Sequence, residues 1–497
     1  MNTLRQPIAE LIAALHALAP AARGIVADSR RIQPGEVFLA FPGAAHDGRA
    51  HIAAAIHAGA AAVLWEPEGY VWSADWRAPH LPVANLKALA APLAAAWYNQ
   101  PAQALWMTGI TGTNGKTSVA QWLAAAFSEL GRPTASIGTL GNGFPGQLAN
   151  ASHTTPDAVS LQRLLADYRD QGAVGVAMEV SSHGLDQGRV DGIEFDVAVF
   201  TNLSRDHLDY HGDMQRYAAA KSRLFHWPDL KAAVLNVDDE LGARLHTQLC
   251  GGPTRALGYG LKAGELRATR CHADRLGLRL EIASPWGRGE LVSPLLGEFN
   301  AYNLLAALGA LLVADVPLDS ALAVLANRQP VAGRMQRIAA EPDAPTVIID
   351  FAHTPDALDK VLAALRPLTQ GRLICVFGCG GGRDTGKRPL MGAAVAARAD
   401  QAIVTSDNPR NEDPAQIVAD ILTGMPPGQT VILDRRAAIR TAIVAAEARD
   451  IIVLAGKGHE DYQEIHGVKH PFSDLAEARM ALAERTLNTT RNNHASA

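Results

Sequence analysis

The sequence predicts an α/β protein built on parallel sheets that carry helices on both faces. Short apolar runs of strand length alternate with helical patterns along most of the 497 residues, as in repeated strand–helix–strand units. In the last third of the chain each run ends in a polar or glycine-rich segment, where ligand sites of parallel sheets form. At roughly 150 residues per domain, the length predicts about three domains.

Composition excludes several classes of protein. Hydrophobic residues make up 48% and charged residues 19%, so the chain can bury a large core and is not disordered. A net charge of −5 disfavours nucleic acid or an anionic membrane as the main partner. No apolar run reaches about 18 residues, which predicts no membrane span. The cysteines suggest neither a disulfide framework nor a zinc site, and we therefore expect a cytoplasmic protein; they are Cys250, Cys271, Cys375 and Cys379.

Residues 1–100 are predicted to form the first domain. Strand-like runs at 37–41 and 61–64 alternate there with alanine-rich helices. Leucines recur at helical spacing within 11–22, and Glu10 and His16 interrupt the apolar character. An amphipathic helix is therefore favoured over a signal peptide. The Tyr-Asn-Gln-Pro stretch at 98–101 predicts a linker.

Strand candidates multiply in the second and third predicted domains, residues 101–331 and 332–497. Helical patterns separate them, so both domains are predicted to contain a parallel sheet. The candidate strands are 105–108, 174–180, 195–201 and 232–237 in the second domain, and 346–351, 372–377, 401–405 and 451–455 in the third.

Residues 108–118, Thr-Gly-Ile-Thr-Gly-Thr-Asn-Gly-Lys-Thr-Ser, follow a predicted strand and open an alanine-rich helix. Glycines let backbone N–H groups face phosphates, Lys116 can reach the terminal phosphate, and Thr117 offers a hydroxyl to Mg²⁺. The helix N-terminus adds partial positive charge. The common pattern has a further glycine six residues before the lysine, where this chain has Ile110. A glycine-rich turn with an incidental lysine is the alternative interpretation.

Two later segments carry candidate metal ligands. Glu179 lies near the end of the 174–180 run, a position suited to holding Mg²⁺ beside a phosphate loop. His207 and His211 follow the 195–201 run without the glutamate of a zinc-protease helix, and solvated loop histidines remain the alternative. Taken alone, Lys221 is interpreted as a lysine on a helix surface.

Together these motifs resemble those of the Mur ligases of peptidoglycan synthesis. The resemblance rests on the loop 111–117, Glu-Val-Ser-Ser-His at 179–183, the segment 201–212 and Gly-Glu-Phe-Asn-Ala-Tyr-Asn at 297–303. Asp-Asn-Pro-Arg at 407–410 and Gly-Lys-Gly-His-Glu at 456–460 are similar to the branch of the family that adds meso-diaminopimelate. The similarity covers nearly the whole chain.

The resemblance implies a three-domain architecture: a domain for the UDP end of the substrate, a central P-loop ATPase with a parallel sheet, and a C-terminal Rossmann-like domain that brings the amino acid. It implies an ATP-dependent ligase that adds meso-diaminopimelate to UDP-N-acetylmuramoyl-L-alanyl-D-glutamate through an acyl phosphate, in cytoplasmic cell-wall synthesis. The expected partners are these substrates and ATP, without nucleic acid or membrane, and the expected state is a monomer.

The resemblance also implies a role for each residue that matches a family motif. The implied catalytic residues are Lys116, Glu179, His207 and Lys221. The implied ATP-binding residues are Gly112, Thr113, Asn114, Gly115, Lys116, Thr117, Ser118, Asn300, Asn303, Arg334 and Asp350. The implied contacts to the UDP-muramoyl dipeptide are Ser29, Thr154, Thr155, Ser181, Gln187 and Arg189. The implied diaminopimelate-binding residues are Arg383, Asp407, Asn408, Pro409, Arg410, Gly456 and Glu460. The implied Mg²⁺ ligands are Thr117, Glu179, His207 and Lys221, the last as a carbamate formed with CO₂.

Arg410 is interpreted as the residue that selects diaminopimelate over lysine. A guanidinium can hold the distal carboxylate by two parallel hydrogen bonds, and with lysine bound we expect Arg410 to be left buried and unpaired. A structural arginine paired with Glu412 or Asp413 is the alternative. Rival functions are a lysine-adding Mur ligase, a folylpolyglutamate synthase, and a regulatory or transport P-loop NTPase that forms no bond.

Overall fold

The structure is a computed structural model that describes residues 5–43, 46–151, 153–274, 276–338 and 344–495. The chain divides into two compact units, each assembled from three stretches. The first unit contains Met1–Ile110, Phe127–Ala198 and Arg223–Lys231, and the second contains Thr111–Ala126, Val199–Ser222 and Ala232–Ala497. The chain therefore passes between the units several times.

The strands are short, as expected for a parallel α/β protein. In chain order they are β1 Ile25–Val26, β2 Val37–Ala40, β3 Ala62–Trp65, β4 His80–Pro82, β5 Trp106–Thr111, β6 Thr134–Gly138, β7 Gly141–Phe144, β8 Gln147–Ala149, β9 Gly175–Glu179, β10 Val197–Phe200, β11 Ala232–Asn236, β12 Arg255–Gly260, β13 Leu266–Asp274, β14 Gly277–Ser284, β15 Gly287–Ser293, β16 Gln336–Ile338, β17 Thr346–Asp350, β18 Leu373–Phe377, β19 Gln401–Val404, β20 Thr430–Val431, β21 Ile451–Ala455, β22 Tyr462–Ile465 and β23 Val468–Pro471.

Helices connect most of these strands. They are α1 Arg5–Leu18, α2 Ile52–His57, α3 Leu86–Trp97, α4 Lys116–Glu129, α5 Ala158–Asp170, α6 Ser182–Asp186, α7 Leu208–His211, α8 Met214–Ser222, α9 Glu240–Leu249, α10 Glu298–Val313, α11 Leu318–Ala326, α12 Pro355–Leu365, α13 Lys387–Arg398, α14 Pro414–Leu422, α15 Arg435–Ala445 and α16 Asp474–Ala495. Among the described residues, no helix combines the length and the apolar character needed to cross a bilayer.

The first unit begins with a parallel sheet in the order β1-β2-β3-β4. Alternate residues of β2 enter two different cores: Val37 and Leu39 pack with Leu15 and Leu93, whereas Phe38 packs on the opposite face. Because both of their faces are buried, β2 and β3 are apolar throughout, as parallel strands usually are.

Further along the first unit, β9 pairs in parallel with β5 on one side and β6 on the other. The strands β7 and β8 extend β6 as an antiparallel meander. Ile110 of β5 lies opposite Glu179 of β9, so these two residues of the first unit lie at the carboxyl ends of neighbouring strands. Ligand sites of α/β sheets form at such ends.

The second unit contains a ladder β11-β12-β13-β14-β15, which is parallel up to β13 and antiparallel beyond it. A separate six-stranded sheet has the order β16-β17-β21-β18-β19-β20, with only β16 antiparallel. Cys375 and Phe377 of β18 pack on one face of that sheet, and Ile374 and Val376 pack on the other. The hairpin β22–β23 follows β21 and carries part of the site described below.

The predicted α/β class with parallel sheets is confirmed, and each predicted strand is present with its ends moved by at most a few residues. The strands β13–β15 were not predicted, because β13 is mostly exposed and has no apolar run. The helix expected at 11–22 instead spans Arg5–Leu18 and ends just before Pro20, which has no N–H to continue it. The domain boundaries at 100 and 331 stay predictions.

Candidate active site

The phosphate-binding loop lies between β5 and α4, as its sequence predicts. Ile110, which replaces a glycine of the common pattern, is buried within β5, so the loop proper begins at Gly112. Lys116 Nζ donates to the carbonyl oxygens of Gly112 and Thr113, at 2.8 Å each. Its amine is thus held over the loop, at the N-terminus of α4, where an anion would bind.

Two loop positions can be occupied only by glycine. Gly112 has φ of +146° and Gly115 has φ of +87°. A Cβ on Gly112 would lie 1.9 Å from Thr201 Oγ1, and a Cβ on Gly115 would lie 2.3 Å from Asn303 Oδ1. These glycines let the segments that follow β10 and open α10 approach the loop backbone.

Residues at the end of β10 brace the loop. Asn202 Oδ1 accepts from the Asn114 N–H at 3.0 Å, and Asn202 Nδ2 donates to the Asn114 carbonyl at 3.1 Å. Thr201 Oγ1 donates to the same carbonyl at 2.6 Å. Asn202 was not predicted as a site residue, although its position after a strand beside the loop was the available signal.

Lys221 is not on the surface, so its interpretation as an exposed helix lysine is wrong. The residue is 1% exposed, and Nζ donates to the Gly112 carbonyl at 2.8 Å. The ring of Tyr217 lies 4.5 Å from Nζ. Burial, together with the nearby charge of Lys116, holds the pKa of Lys221 well below its usual value, and Asp206 opposes this only in part. The surroundings of Lys221 therefore favour the neutral form of its amine.

A cavity of about 500 Å³ lies beside the loop within the second unit. Most of the predicted ATP-binding residues line it, whereas Gly112, Thr113 and Lys116 lie in the adjoining loop. The predicted residues in its wall are Asn114, Gly115, Thr117, Ser118, Asn300, Asn303, Arg334 and Asp350. Residues that sequence reasoning did not select also line it, among them Trp122, Asn202, Asp239, Phe299, Tyr302 and Phe351.

Charged groups from two later segments complete one wall of the cavity. Arg334 Nη2 donates to Thr117 Oγ1 at 3.3 Å, and the guanidinium stacks 4.2 Å from the centre of the Phe351 ring. Asp350 accepts from the Met335 N–H at 2.7 Å, which fixes the segment that carries Arg334. Burial raises the pKa of Asp350, although Arg334 opposes the shift.

A buried carboxylate, Asp206, lies among basic side chains near His207. Its oxygens lie 3.3 Å from His207 Nε2, 3.6 Å from His353 Nε2 and 3.5 Å from Lys387 Nζ. Burial alone would raise the pKa of Asp206, but His353, Lys387 and His207 outweigh it and hold the pKa well below its usual range. Asp206 was not predicted as a site residue.

The predicted contacts to the UDP-muramoyl dipeptide form one network in the first unit, with the exception of Ser29. Thr155 Oγ1 lies 3.1 Å from Ser181 Oγ, and Arg189 donates to the Thr155 carbonyl at 2.9 Å. Arg189 also donates to Gln187 Oε1 through Nε at 2.9 Å and Nη2 at 2.6 Å. Ser29 lies in a short 3₁₀ turn capped by Asp28, and no hydrogen bond joins it to this network among the described residues.

Glu179 is buried at the end of β9, where Thr139 holds both of its oxygens. The Thr139 N–H donates to Oε1 at 2.8 Å, and Thr139 Oγ1 donates to Oε2 at 3.1 Å. Thr139 Oγ1 also lies 3.0 Å from Thr154 Oγ1. Thr139 therefore links the Glu179 carboxylate to Thr154 in the predicted dipeptide contacts, and sequence reasoning missed it.

The segments 407–410 and 456–460 meet at the carboxyl ends of β19 and β21. Lys457 is fully buried there, and its Nζ lies 3.1 Å from Asn408 Oδ1, 3.2 Å from Glu460 Oε2 and 3.5 Å from Asp407 Oδ1. Asn408 Nδ2 donates to Glu460 Oε2 at 2.8 Å. The buried lysine thus holds several of the predicted amino-acid ligands in one arrangement.

Arg410 does not pair with Glu412 or Asp413, so that alternative is wrong. Its Nε donates to Glu464 Oε2 at 3.2 Å, and its Nη1 donates to the Gly381 carbonyl at 2.7 Å. Glu412 instead forms an ion pair with Arg388, with 2.8 Å between Glu412 Oε2 and Arg388 Nη2. Since Glu464 already pairs with Arg410, the expectation that lysine would leave this arginine unpaired is also wrong.

The remaining predicted diaminopimelate ligands lie around this pair. Gly456 has φ of +114°, and its N–H donates to the Asp350 carbonyl at 3.1 Å. Pro409 is buried, and Arg383 is exposed in the glycine-rich loop after β18. The structure therefore brings the 407–410 and 456–460 segments together and places the Arg383 loop at the same edge of the sheet, the carboxyl ends of its parallel strands.

Family models match most of the chain. They are the Mur ligase family catalytic domain at residues 22–98, the Mur ligase middle domain at 110–311 and the Mur ligase glutamate ligase domain at 333–458. The chain is a Mur ligase.

Similar proteins cover almost all of this Mur ligase. A UDP-N-acetylmuramoyl-L-alanyl-D-glutamate–2,6-diaminopimelate ligase of Chromobacterium violaceum is 53% identical, over 92% of this chain and 94% of that protein. The enzyme with the same name from Ectopseudomonas mendocina is also 53% identical, over 94% and 98%. A solved structure of a ligase with this name has 38% identity and a TM-score of 0.64, over 94% of this chain and 95% of that one.

Proposed function

We propose that this Mur ligase uses ATP to join meso-diaminopimelate to UDP-N-acetylmuramoyl-L-alanyl-D-glutamate. The observation that carries the substrate assignment is Arg410 at the Asp-Asn-Pro-Arg segment, with a guanidinium fixed at Nε and Nη1. Relatives that share about half of the residues across nearly the whole chain are named for this reaction. We expect the enzyme to act as a monomer in the cytoplasm.

The chemistry follows from what an amide bond requires. A carboxylate is a poor electrophile, so the D-glutamate γ-carboxylate first takes the terminal phosphoryl group of ATP and ADP leaves. The amine of diaminopimelate then attacks the acyl phosphate, and phosphate leaves from the tetrahedral intermediate as the amide forms. Phosphoryl transfer depends mainly on positioning and on neutralising charge.

The loop and the cavity supply the residues for the first step. Lys116, which now donates to the Gly112 and Thr113 carbonyls, would exchange these for phosphate oxygens. The cavity of about 500 Å³ beside it has the size of a small-molecule site. Arg334 and the Asn300–Asn303 pair would orient the nucleotide, since all three line that cavity.

Mg²⁺ is the ion that this chemistry implies, and when bound it would neutralise phosphate charge. Thr117 and His207 are its proposed ligands in the second unit together with Lys221 as a carbamate, and Glu179 stays a predicted ligand from the sequence. The described residues contain no group of three or more His, Cys, Asp and Glu side chains suited to a metal. A carbamate oxygen on Lys221 and the Thr117 hydroxyl would supply hard oxygen donors of other kinds.

The surroundings of Lys221 fit carbamate formation. Only a neutral amine adds CO₂, and burial beside Lys116 favours the neutral form of Lys221. In the described part of the chain, no carboxylate forms an ion pair with Lys221 Nζ that would keep it protonated. The anionic product would also relieve the repulsion between the two lysines.

A coupled assay of ADP release tests the proposal. We expect turnover only when ATP, the UDP-muramoyl dipeptide and meso-diaminopimelate are all present, with a product whose mass equals the tripeptide precursor. Lysine and glutamate serve as matched amine substrates. Equal turnover with lysine would identify a lysine-adding enzyme, preference for glutamate on a folate substrate would identify a polyglutamate synthase, and ADP release without the dipeptide would identify an NTPase.

A further inference from the structure

We propose that Glu464, on the hairpin β22–β23, is the positioning residue that presents the Arg410 guanidinium to the distal carboxylate of the amino-acid substrate. The proposal rests on the proposed function, because it assigns a specificity device to the diaminopimelate end of that site. Glu464 lies outside both the 407–410 and the 456–460 segments, so neither motif includes it.

The backbone of Glu464 holds the backbone of Arg410. The Arg410 N–H donates to the Glu464 carbonyl at 3.0 Å, and the His466 N–H donates to the Arg410 carbonyl at 2.8 Å. These bonds form a parallel bridge between Arg410 and Ile465. Arg410 has φ of +52°, a left-handed conformation that a residue with a side chain adopts at a cost. The hairpin therefore fixes the backbone of Arg410, from which the side chain extends.

The side chain of Glu464 helps to fix the position of the guanidinium itself. Glu464 Oε2 accepts from Nε, while the Gly381 carbonyl accepts from Nη1. Among the described residues, Nη2 has no hydrogen-bond partner, and one N–H of Nη1 also remains. A guanidinium can bind a carboxylate with two parallel bonds along its Nε–Nη2 edge or along its Nη1–Nη2 edge. Because Glu464 occupies Nε, the Nη1–Nη2 edge is the one left for the substrate.

The glycine loop after β18 lies close against the Arg410 guanidinium. A Cβ on Gly380 would lie 3.0 Å from Arg410 Nη1, so even an alanine there would press on the group. The side chains of Arg410 and Glu464 are each 25% exposed, and the pair is thus mostly shielded from water. An ion pair in such a position is held more firmly than one on the open surface.

Glu464 also fixes Asn408, a second predicted ligand. The Glu464 N–H donates to Asn408 Oδ1 at 2.9 Å, and Lys457 Nζ donates to the same oxygen. The amide is thereby oriented with Nδ2 towards Glu460. One hairpin residue therefore touches Arg410 through its carbonyl and carboxylate and touches Asn408 through its N–H.

Glu464→Ala and Glu464→Gln separate orientation from charge. Alanine removes the acceptor for Nε and keeps the backbone contacts, whereas glutamine keeps an oxygen acceptor and removes the negative charge. If orientation matters, we expect Glu464→Ala to raise KM for diaminopimelate about 10- to 100-fold, the loss of a hydrogen bond to a charged group. Glu464→Gln should restore most of this.

The same measurements with lysine, with ATP and in the Arg410→Ala background exclude a merely structural role. Lysine has no distal carboxylate, so Glu464→Ala should leave its kcat/KM unchanged and lower the diaminopimelate preference by the same factor. KM for ATP should not move, and adding Glu464→Ala to Arg410→Ala should have no further effect. Glu290→Ala, which removes an exposed carboxylate paired with Arg279, is the matched control and should behave as wild type.

Three results would overturn the proposal, each distinct from failure of the proposed function. They are an unchanged KM for diaminopimelate in Glu464→Ala, equal losses for diaminopimelate and lysine, and an additive loss in the double variant. Failure of the proposed function would show earlier, as wild-type enzyme that does not use diaminopimelate. Melting temperatures of all variants identify any loss that is due to unfolding.

Discussion

Two fully buried lysines, Lys221 and Lys457, lie in two different sites of this molecule. Lys221 lies under the phosphate loop, where its hydrogen-bond acceptor is a carbonyl oxygen and its neighbour is another lysine. Lys457 lies at the amino-acid pocket, where Asp407, Glu460 and an amide oxygen surround its Nζ. Burial favours the neutral form of the Lys221 amine, whereas the Lys457 amine forms ion pairs with two carboxylates.

The difference shows that burial alone does not decide what a lysine does. Burial favours the neutral, nucleophilic form of an amine that has no carboxylate in an ion pair with it, whereas a buried amine paired with two carboxylates organises its neighbours. We therefore expect changes in the phosphate loop to act on kcat, and changes around Lys457 to act on stability and on the KM of the amino acid.

Lys116→Ala should give the largest effect. The Lys116 amine is held over the loop by two of its carbonyls, and losing one group that stabilises transition-state charge costs about 10²–10³-fold in rate. Steady-state kcat, measured with folded protein as judged by circular dichroism, checks this. Lys262→Ala, an exposed lysine, is the control and should keep the wild-type rate. Unchanged turnover in Lys116→Ala would remove the phosphate assignment.

Lys221→Ala tests whether the buried amine is chemically modified. We expect most of the activity to be lost and a small carboxylate such as acetate to restore part of it by supplying oxygen donors. Independently of activity, wild-type enzyme equilibrated with ¹³C-labelled CO₂ should show a carbamate carbon signal by NMR that Lys221→Ala lacks. If Lys221→Ala kept full activity and still showed the carbamate signal, Lys221 would not be the modified residue, and its proposed difference from Lys457 would be wrong.

Lys457→Met should act on the fold and on amino-acid binding. Removing one member of a buried charge cluster leaves the others uncompensated and costs about 3–5 kcal/mol of unfolding free energy. Urea unfolding measures this, and KM for diaminopimelate should rise while KM for ATP stays constant in protein that remains folded. A loss of kcat with unchanged stability would mean that Lys457 resembles Lys221 after all.

His459, next to this cluster, should give the smallest effect, as a pH dependence of stability. Burial lowers its pKa to about 4, with help from Arg334 and Lys457 and against Asp461. An unfolded histidine has a pKa of about 6.5, so between these values the unfolded chain binds the extra proton. The contribution is complete above pH of about 6.5 and is lost as pH falls towards 4.

The size of the expected pH effect follows from the pKa shift of His459. The shift corresponds to at most about 3 kcal/mol of unfolding free energy. His459→Asn should make the urea midpoint of unfolding less dependent on pH between about 6.5 and 4, the range bounded by the unfolded and folded pKa values. His470→Asn, at an exposed position of β23, should leave the profile unchanged. A steep profile that persists in His459→Asn would assign the dependence to another group.

Much of the fold could be predicted because parallel strands buried on both faces are continuous apolar runs. β18 and β21 are examples, since every residue in each is buried. The strands β13 and β15 could not be predicted in this way, because they are largely exposed and their residues alternate without an apolar run.

Site residues were predictable where chemistry fixes a local pattern, as at Lys116 and Gly115. Residues that act through partners distant in sequence were not predictable: Thr139 reaches Glu179 across 40 positions, and Glu464 reaches Arg410 across 54. The burial of Lys221 also depended on tertiary packing, which its helix sequence does not reveal.

The interleaving of the two units has a consequence for synthesis on the ribosome. The first unit needs its last stretch, Arg223–Lys231, before it is complete, while Thr111–Ala126 of the second unit emerges long before Ala232–Ala497. At about 5–20 residues per second, the nascent chain waits roughly 10–50 seconds before the first unit can close. Neither unit can be obtained by cutting the chain once, and pairings between such distant stretches fold slowly.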